Sequence, residues 1–219
     1  MPDTGDVYID DVSTREKKHL LEIRKKVGIV FQNADNQIVS PSIYEDVSFG
    51  PQNLGMTGIE KIVDNALESV DLLEYKEGLT ANLSGGEKQR LAIAGILAMN
   101  PKYLVLDEAT AMLDKASSKQ VLEIVNKLNK ENKITIIHIT HNVEEAILAN
   151  RVIIMDKGKI ILDDKPLEIF KNISFLKELN IEIPVIMQLM HELRAEGIDI
   201  NPDTYTIAGA KEEIMKKRK

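Results

Sequence analysis

Three short apolar runs, each ending on a polar side chain, restrict the fold of this chain more than any other feature. Val27-Gly-Ile-Val-Phe31 stops at Gln32. Tyr103-Leu-Val-Leu106 stops at the carboxylate of Asp107, and Ile134-Thr-Ile-Ile-His-Ile-Thr140 delivers His141. Compact runs of this length and composition are strand signals, and the third reads as a buried β-branched strand. A helical pattern with Val121, Leu122, Ile124, Val125 and Leu128 separates the second run from the third. Strand, helix, strand and helix in succession predict an α/β domain with a mostly parallel sheet.

The remaining segments are lighter in signal. Met1-Pro-Asp-Thr-Gly5 predicts a turn and Asp6 to Asp10 a short strand, followed by a charged, helix-prone stretch to Lys26. Asn33 to Pro41 reads as polar loop. From Ser42 to Lys76, turn signals at Gly50-Pro51, Gly55 and Gly58 surround one amphipathic helix with Ile62, Ala66, Leu67 and Val70. Arg151–Met155 and Lys159–Leu162 predict a strand pair around Asp156-Lys-Gly158, and helices with short turns follow Pro166. The net charge of −7 disfavours a binder of nucleic-acid backbone. There is no cysteine, hence neither a disulfide framework nor a thiolate metal site. No apolar run approaches the length of a membrane span.

Ligands of open parallel sheets sit at the C-terminal ends of the strands, where these polar residues fall. Asp107 and Glu108 form a tandem acidic pair; the first suits Mg²⁺ and the second suits orienting or deprotonating water. Gln32 offers a neutral amide able to touch both metal and water, and His141 a donor to a phosphate oxygen. His138, in mid-strand, reads as an ordinary core or interface residue. Upstream of the second strand lies Leu83-Ser-Gly-Gly-Glu-Lys-Gln-Arg90. Ser84 and Glu87 have the spacing of a capping box, and Gly85 and Gly86 open the helix N-terminus to another backbone or a phosphate.

The octapeptide matches the signature motif of ATP-binding-cassette (ABC) ATPases. The order Gln32, Leu83–Glu87, Leu104–Glu108, Leu113-Asp114, Thr140-His141 resembles that family over roughly residues 1–165. The resemblance implies ATP and Mg²⁺ as cofactors, with Gln32 as the Q-loop residue, Asp107 as the Walker B aspartate and Glu108 as the catalytic glutamate. It makes Ala109 to Asp114 the D-loop and His141 the switch histidine. Ser84, Gly85, Gly86, Glu87 and Asp114 then face nucleotide. The implied fold is a RecA-like P-loop NTPase core at 1–39 and 101–165, with an inserted helical subdomain at 40–100. Asn33-Ala-Asp-Asn-Gln37, Phe49–Gly55 and Ile183–Gly197 resemble energy-coupling factor importer ATPases, which serve vitamins and transition-metal ions. By that likeness residues 166–219 form a helical extension that helps two ATPase subunits pair, through Val185, Ile186, Leu189, Met190 and Leu193. A membrane coupling protein and a substrate-binding membrane subunit are the further partners, at the cytoplasmic face of the cell membrane. The closing Lys216-Lys-Arg-Lys219 reads as a solvated tail.

One departure from the family pattern outweighs the rest. No G-x-x-x-x-G-K-[ST] run is present, the only Gly-Lys pair being Gly158-Lys159 before Ile160. The family places that motif upstream of the segment resembled by residues 1–5, so the resemblance predicts a chain beginning at an internal methionine of a longer ATPase. Ala111 also stands where serine is usual. Two alternatives compete with a transport ATPase: a catalytically silent assembly subunit, and a soluble ABC ATPase of DNA repair or translation. The missing motif favours the first for this chain while intact Glu108 and His141 disfavour it for a longer parent, and the lack of coiled coils, twin cassettes or basic surface disfavours the second.

Overall fold

A computed structural model describes residues 4–216. The start of the predicted N-terminal turn and the tail residues Lys217, Arg218 and Lys219 lie outside them. The chain divides into two compact units, the first running to Thr140 and the second starting at His141.

The first unit opens with a hairpin of β1 (Tyr8–Ile9) and β2 (Val12–Ser13), the second strand unanticipated from sequence. Its two-residue turn puts Asp10 and Asp11 at φ +47° and +66°, the left-handed pair of a type I′ turn. Asp10 then pins the hairpin to the strands behind it. Its carboxylate accepts from Lys102 Nζ at 2.7 Å and from the Tyr103 hydroxyl at 2.5 Å, with Lys26 Nζ at 3.4 Å. Lys102 above all, then Tyr103, lowers its pKa to about 2. An aspartate in the unfolded chain titrates near ~3.9. The contribution is therefore complete above that value and disappears as pH falls toward 2. Asp10→Asn should lower the melting temperature at neutral pH. The gap to the parent should close as pH drops from about 5 to about 2, which a melting series against pH checks.

After α1 (Leu20–Lys26) the central sheet runs β3 (Val27–Val30), β4 (Tyr103–Asp107) and β5 (Thr135–Ile139), in that order and all parallel. Gly28, Leu104 and Ile136 share one face, while Ile29, Val105 and Ile137 share the other. The first face is covered by α4 (Gly85–Leu97) and α5 (Lys115–Asn132). Gly28 is required there, because a Cβ would stand 2.0 Å from Ile96 Cγ2. The opposite face is open among the described residues, with Ile137 and Ile139 half exposed. The expectation of a buried third strand is thus corrected. β-Branching reports a strand, but only what packs on each face sets burial.

A second correction falls between residues 42 and 76, where two helices stand instead of one: α2 (Ile43–Asn53) and α3 (Ile59–Glu68). Gly50-Pro51 signals a turn locally but sits in the last turn of α2. Ser42 caps that helix through Glu45 N, and Ile43, Val47 and Pro51 are buried against the common core. Proline at this position gives up an i→i−4 hydrogen bond, and tertiary burial overrides that cost.

The second unit carries α6 (Val143–Ala146) and the expected antiparallel pair β6 (Val152–Asp156) and β7 (Lys159–Asp164). Helices α7 (Pro166–Phe170), α8 (Ile173–Glu178), α9 (Val185–Ala195) and α10 (Ile207–Lys216) follow. Ile147, Val152, Ile154, Ile169, Phe170, Leu176 and Met187 make its main core. Of the apolar stripe read on α9, Met190 is buried with Ile186 and Leu193 packed beside it. Val185 and Leu189 remain exposed, and Met187, outside the stripe, is fully buried.

Candidate active site

Parallel β3 and β4 bring their C-terminal ends side by side, Val30 opposite Leu106. The polar residues just beyond therefore meet across 76 positions of sequence, and Gln32 Nε2 donates to Glu108 Oε2 at 3.3 Å. Asp107, the last residue of β4, is exposed beside them. Glu108 has φ +51°, a left-handed backbone that a non-glycine residue adopts at a cost. Its amide is fixed by the Ile139 carbonyl at 3.0 Å, at the end of β5. The sheet thus holds one carboxylate in a strained conformation next to the predicted amide. His141 is exposed and belongs to the second unit.

The signature segment forms the expected cap in full. Ser84 N and Oγ both donate to Glu87 Oε2, at 2.8 and 2.7 Å, while Glu87 N donates to Ser84 Oγ at 3.4 Å. The Ser84 hydroxyl, then its amide, holds the Glu87 carboxyl below the usual carboxylate range. Glu87 is therefore an anion at neutral pH, balancing the positive end of α4. An arriving phosphate would have to take the hydroxyl proton of Ser84 away from Glu87.

The two signature glycines, equivalent in sequence, differ in space. Gly85 is exposed, with nothing within 4 Å of a Cβ built on it. Gly86 is buried, and a Cβ there would stand 2.6 Å from Ser117 Oγ and 2.7 Å from Ser117 Cβ. Ser117 in turn donates to Asp114 Oδ2 at 2.6 Å. Asp114 is the N-cap of α5, accepting also from the amides of Ala116 and Ser117. Its carboxyl is held low first by the Ser117 hydroxyl and then by these amides. Gly86 thus lets the signature helix seat against the capped start of α5. Gly86→Ala should destabilise the fold by about 1–3 kcal/mol through overpacking, measured by urea unfolding. Gly85→Ala should be neutral or stabilising by up to about 1 kcal/mol. A relieving Ser117→Gly change should recover part of the Gly86→Ala loss.

Sequence reading passed over Ser117 and Gln89. Gln89 is buried to 1% exposure within the signature helix. A polar residue on the covered side of a helix was the available signal.

The family described as ABC transporter matches residues 1–111. "Energy-coupling factor transporter ATP-binding protein EcfA1" of Caldanaerobacter subterraneus subsp. tengcongensis is 51% identical over 209 residues, covering 94% of this chain and 76% of that protein. The protein of the same name from Clostridioides difficile is 48% identical with the same coverage. Among solved structures, cbiO1 from Clostridium perfringens, described as part of the ABC transporter complex cbiONQ, superposes with a TM-score of 0.74 at 38% identity. It covers 87% of this chain and 77% of that one. The dimeric ATP-binding cassette MJ0796, in a post-hydrolysis state bound to ADP and Pi, gives 0.66 at 30% identity, covering 75% of each chain.

The chain belongs to the ABC transporter ATPase family, with the P-loop NTPase fold of its cassettes. Within that family its relatives are the ATP-binding subunits of energy-coupling factor transporters, as the Asn33–Gln37 and Phe49–Gly55 segments led one to expect.

Proposed function

We propose that this chain is the ATP-hydrolysing subunit that energises an energy-coupling factor importer for a vitamin or a transition-metal ion. The observation that carries the reading is the meeting of Gln32 with Glu108, a carboxylate held at positive φ at the end of β4. Glu108 acts as general base toward the attacking water, with Gln32 orienting it. His141 donates to a terminal phosphate oxygen.

Among the described residues no three of His, Cys, Asp and Glu gather as a metal cage. That suits Mg²⁺, which keeps waters and phosphate oxygens and needs only one or two protein carboxylates. Asp107 and the Gln32 amide would hold it, and the ion would supply charge neutralisation on the phosphates. Ser84, Gly85, Gly86 and Glu87 serve ATP carried by a second ATPase subunit, and Asp114 orders the loop facing it. Residues 1–39 and 101–165 make up the core, 40–100 the helical subdomain and 166–219 the extension that assists pairing, with Val185 and Leu189 as its exposed apolar contacts.

No helix among the described residues is long and apolar enough to cross a membrane. Attachment to the cytoplasmic face then comes through the membrane coupling protein and its substrate-binding subunit. The 219 residues contain no G-x-x-x-x-G-K-[ST] run and by themselves hydrolyse nothing. The test is reconstitution of the chain, extended at its N-terminus by a P-loop segment, with a second ATPase subunit and the membrane subunits in vesicles. ATP-driven uptake that is abolished by Glu108→Gln supports the reading; uptake indifferent to Glu108 refutes it.

A further inference from the structure

Helix α4 grips both neighbouring loops, chiefly through the side chains of Lys88, Gln89 and Arg90, which lie outside the nucleotide-facing set. Gln89 donates Nε2 to the carbonyl of Phe31 at 2.9 Å, the residue immediately before Gln32. Beside it Lys88 Nζ reaches Asp35 at 2.7 Å, in the turn after Gln32. Gly86 and Arg90, four apart and so on one helical face, engage α5 instead. Gly86 abuts Ser117, and Arg90 Nη1 donates to Gln120 Oε1 at 2.9 Å. The buried amide of Gln89 occupies a place that an apolar side chain of its volume could fill. What the amide adds is direction, since a hydrogen bond to one carbonyl fixes where that backbone stands.

We propose that Gln89 is a positioning residue for Gln32, its bond to the Phe31 carbonyl setting where the Q-loop stands relative to the signature helix. Ordering of Ser84–Glu87 by ATP is thereby transmitted through one turn of α4 to the Gln32–Glu108 pair. The proposal rests on the roles assigned to those residues above, but its first test does not.

In the chain assembled with its partner ATPase, Gln89→Leu keeps the volume and removes the donor. Hydrogen–deuterium exchange without nucleotide or metal should show the amides of residues 32–38 exchanging about five- to tenfold faster, the effect of one lost hydrogen bond. The amides of α4 should keep their protection. With a P-loop segment added at the N-terminus, kcat in steady state should fall about tenfold while the KM for ATP stays within about twofold, because orientation and not binding is lost. Gln89→Glu, of the same shape, can donate only when protonated. Its turnover relative to the parent should rise as pH is lowered from about 8 to about 6, since burial raises a carboxyl's pKa. Unchanged exchange at 32–38 overturns the positioning role, as does equal loss of protection along α4, which would mean packing alone. Faster exchange with parental kcat overturns the link to catalysis. Parental turnover in Glu108→Gln would instead sink the catalytic reading and leave the exchange result standing.

Discussion

In an assembled ATPase whose N-terminus also carries a P-loop segment, Glu108→Gln should bind ATP with little change and hydrolyse it slower by ~10²–10⁴, the usual worth of a general base. The substitution keeps the size of the side chain and its contact with Gln32. The amide can still occupy the left-handed backbone at φ +51°, a region glutamine enters no less readily than glutamate. Folding and pairing are therefore expected to survive, which separates chemistry from structure. Single-turnover hydrolysis measured beside equilibrium ATP binding checks it. A turnover within a few-fold of the parent removes Glu108 from the base role.

A polypeptide of these 219 residues alone should have no measurable ATPase activity and an ATP affinity weaker than millimolar. A P-loop gives the phosphates several backbone N–H donors and a lysine, each charge-assisted bond contributing roughly 1.5–3 kcal/mol. Four such bonds amount to about 6 kcal/mol or more, around four decades of affinity. A site of micromolar strength weakened by that factor falls past the millimolar range. The signature side does not depend on this cradle, since its cap is complete within residues 84–87. Adding an intact partner whose own signature is mutated should therefore restore ATP binding at the composite site. Calorimetry returning a micromolar Kd for the isolated chain would contradict the reading and require a phosphate site elsewhere.

The open face of the central sheet bears on both experiments. Ile29, Phe31, Ile137 and Ile139 are each about half exposed on it or just beyond it. Contiguous apolar surface of this kind favours association, so the isolated chain is best handled at low concentration and its oligomeric state recorded beside any binding curve.

Local chemistry was readable without coordinates. The Ser84–Glu87 box needs only residues three apart, and both of its halves form. β4 spans Tyr103–Asp107 as its apolar run predicts, and the β6–β7 turn falls at Lys157-Gly158. In each case the decisive hydrogen bonds or packing periods lie within a few residues, where sequence order is spatial order. The polar ends of β3 and β4 could also be paired from sequence, because parallel strands share a C-terminal edge, and Gln32 does meet Glu108 there.

What sequence could not decide were distinctions made by distant neighbours. Gly85 and Gly86 look alike until α5 arrives against only one of them. Gly50-Pro51 signals a turn until burial of Ile43, Val47 and Pro51 completes α2 around it. β5 reads as buried until one of its faces is left without cover. Gln89 is one more helix former in a charged run until its amide meets a carbonyl 58 positions away. The sequence by itself determined the three strands of the central sheet, where the signature helix begins and that Gln32 and Asp107-Glu108 fall at the ends of β3 and β4. Only the tertiary structure decided which side chains touch, because register and face packing are set by contacts between segments that no local pattern encodes.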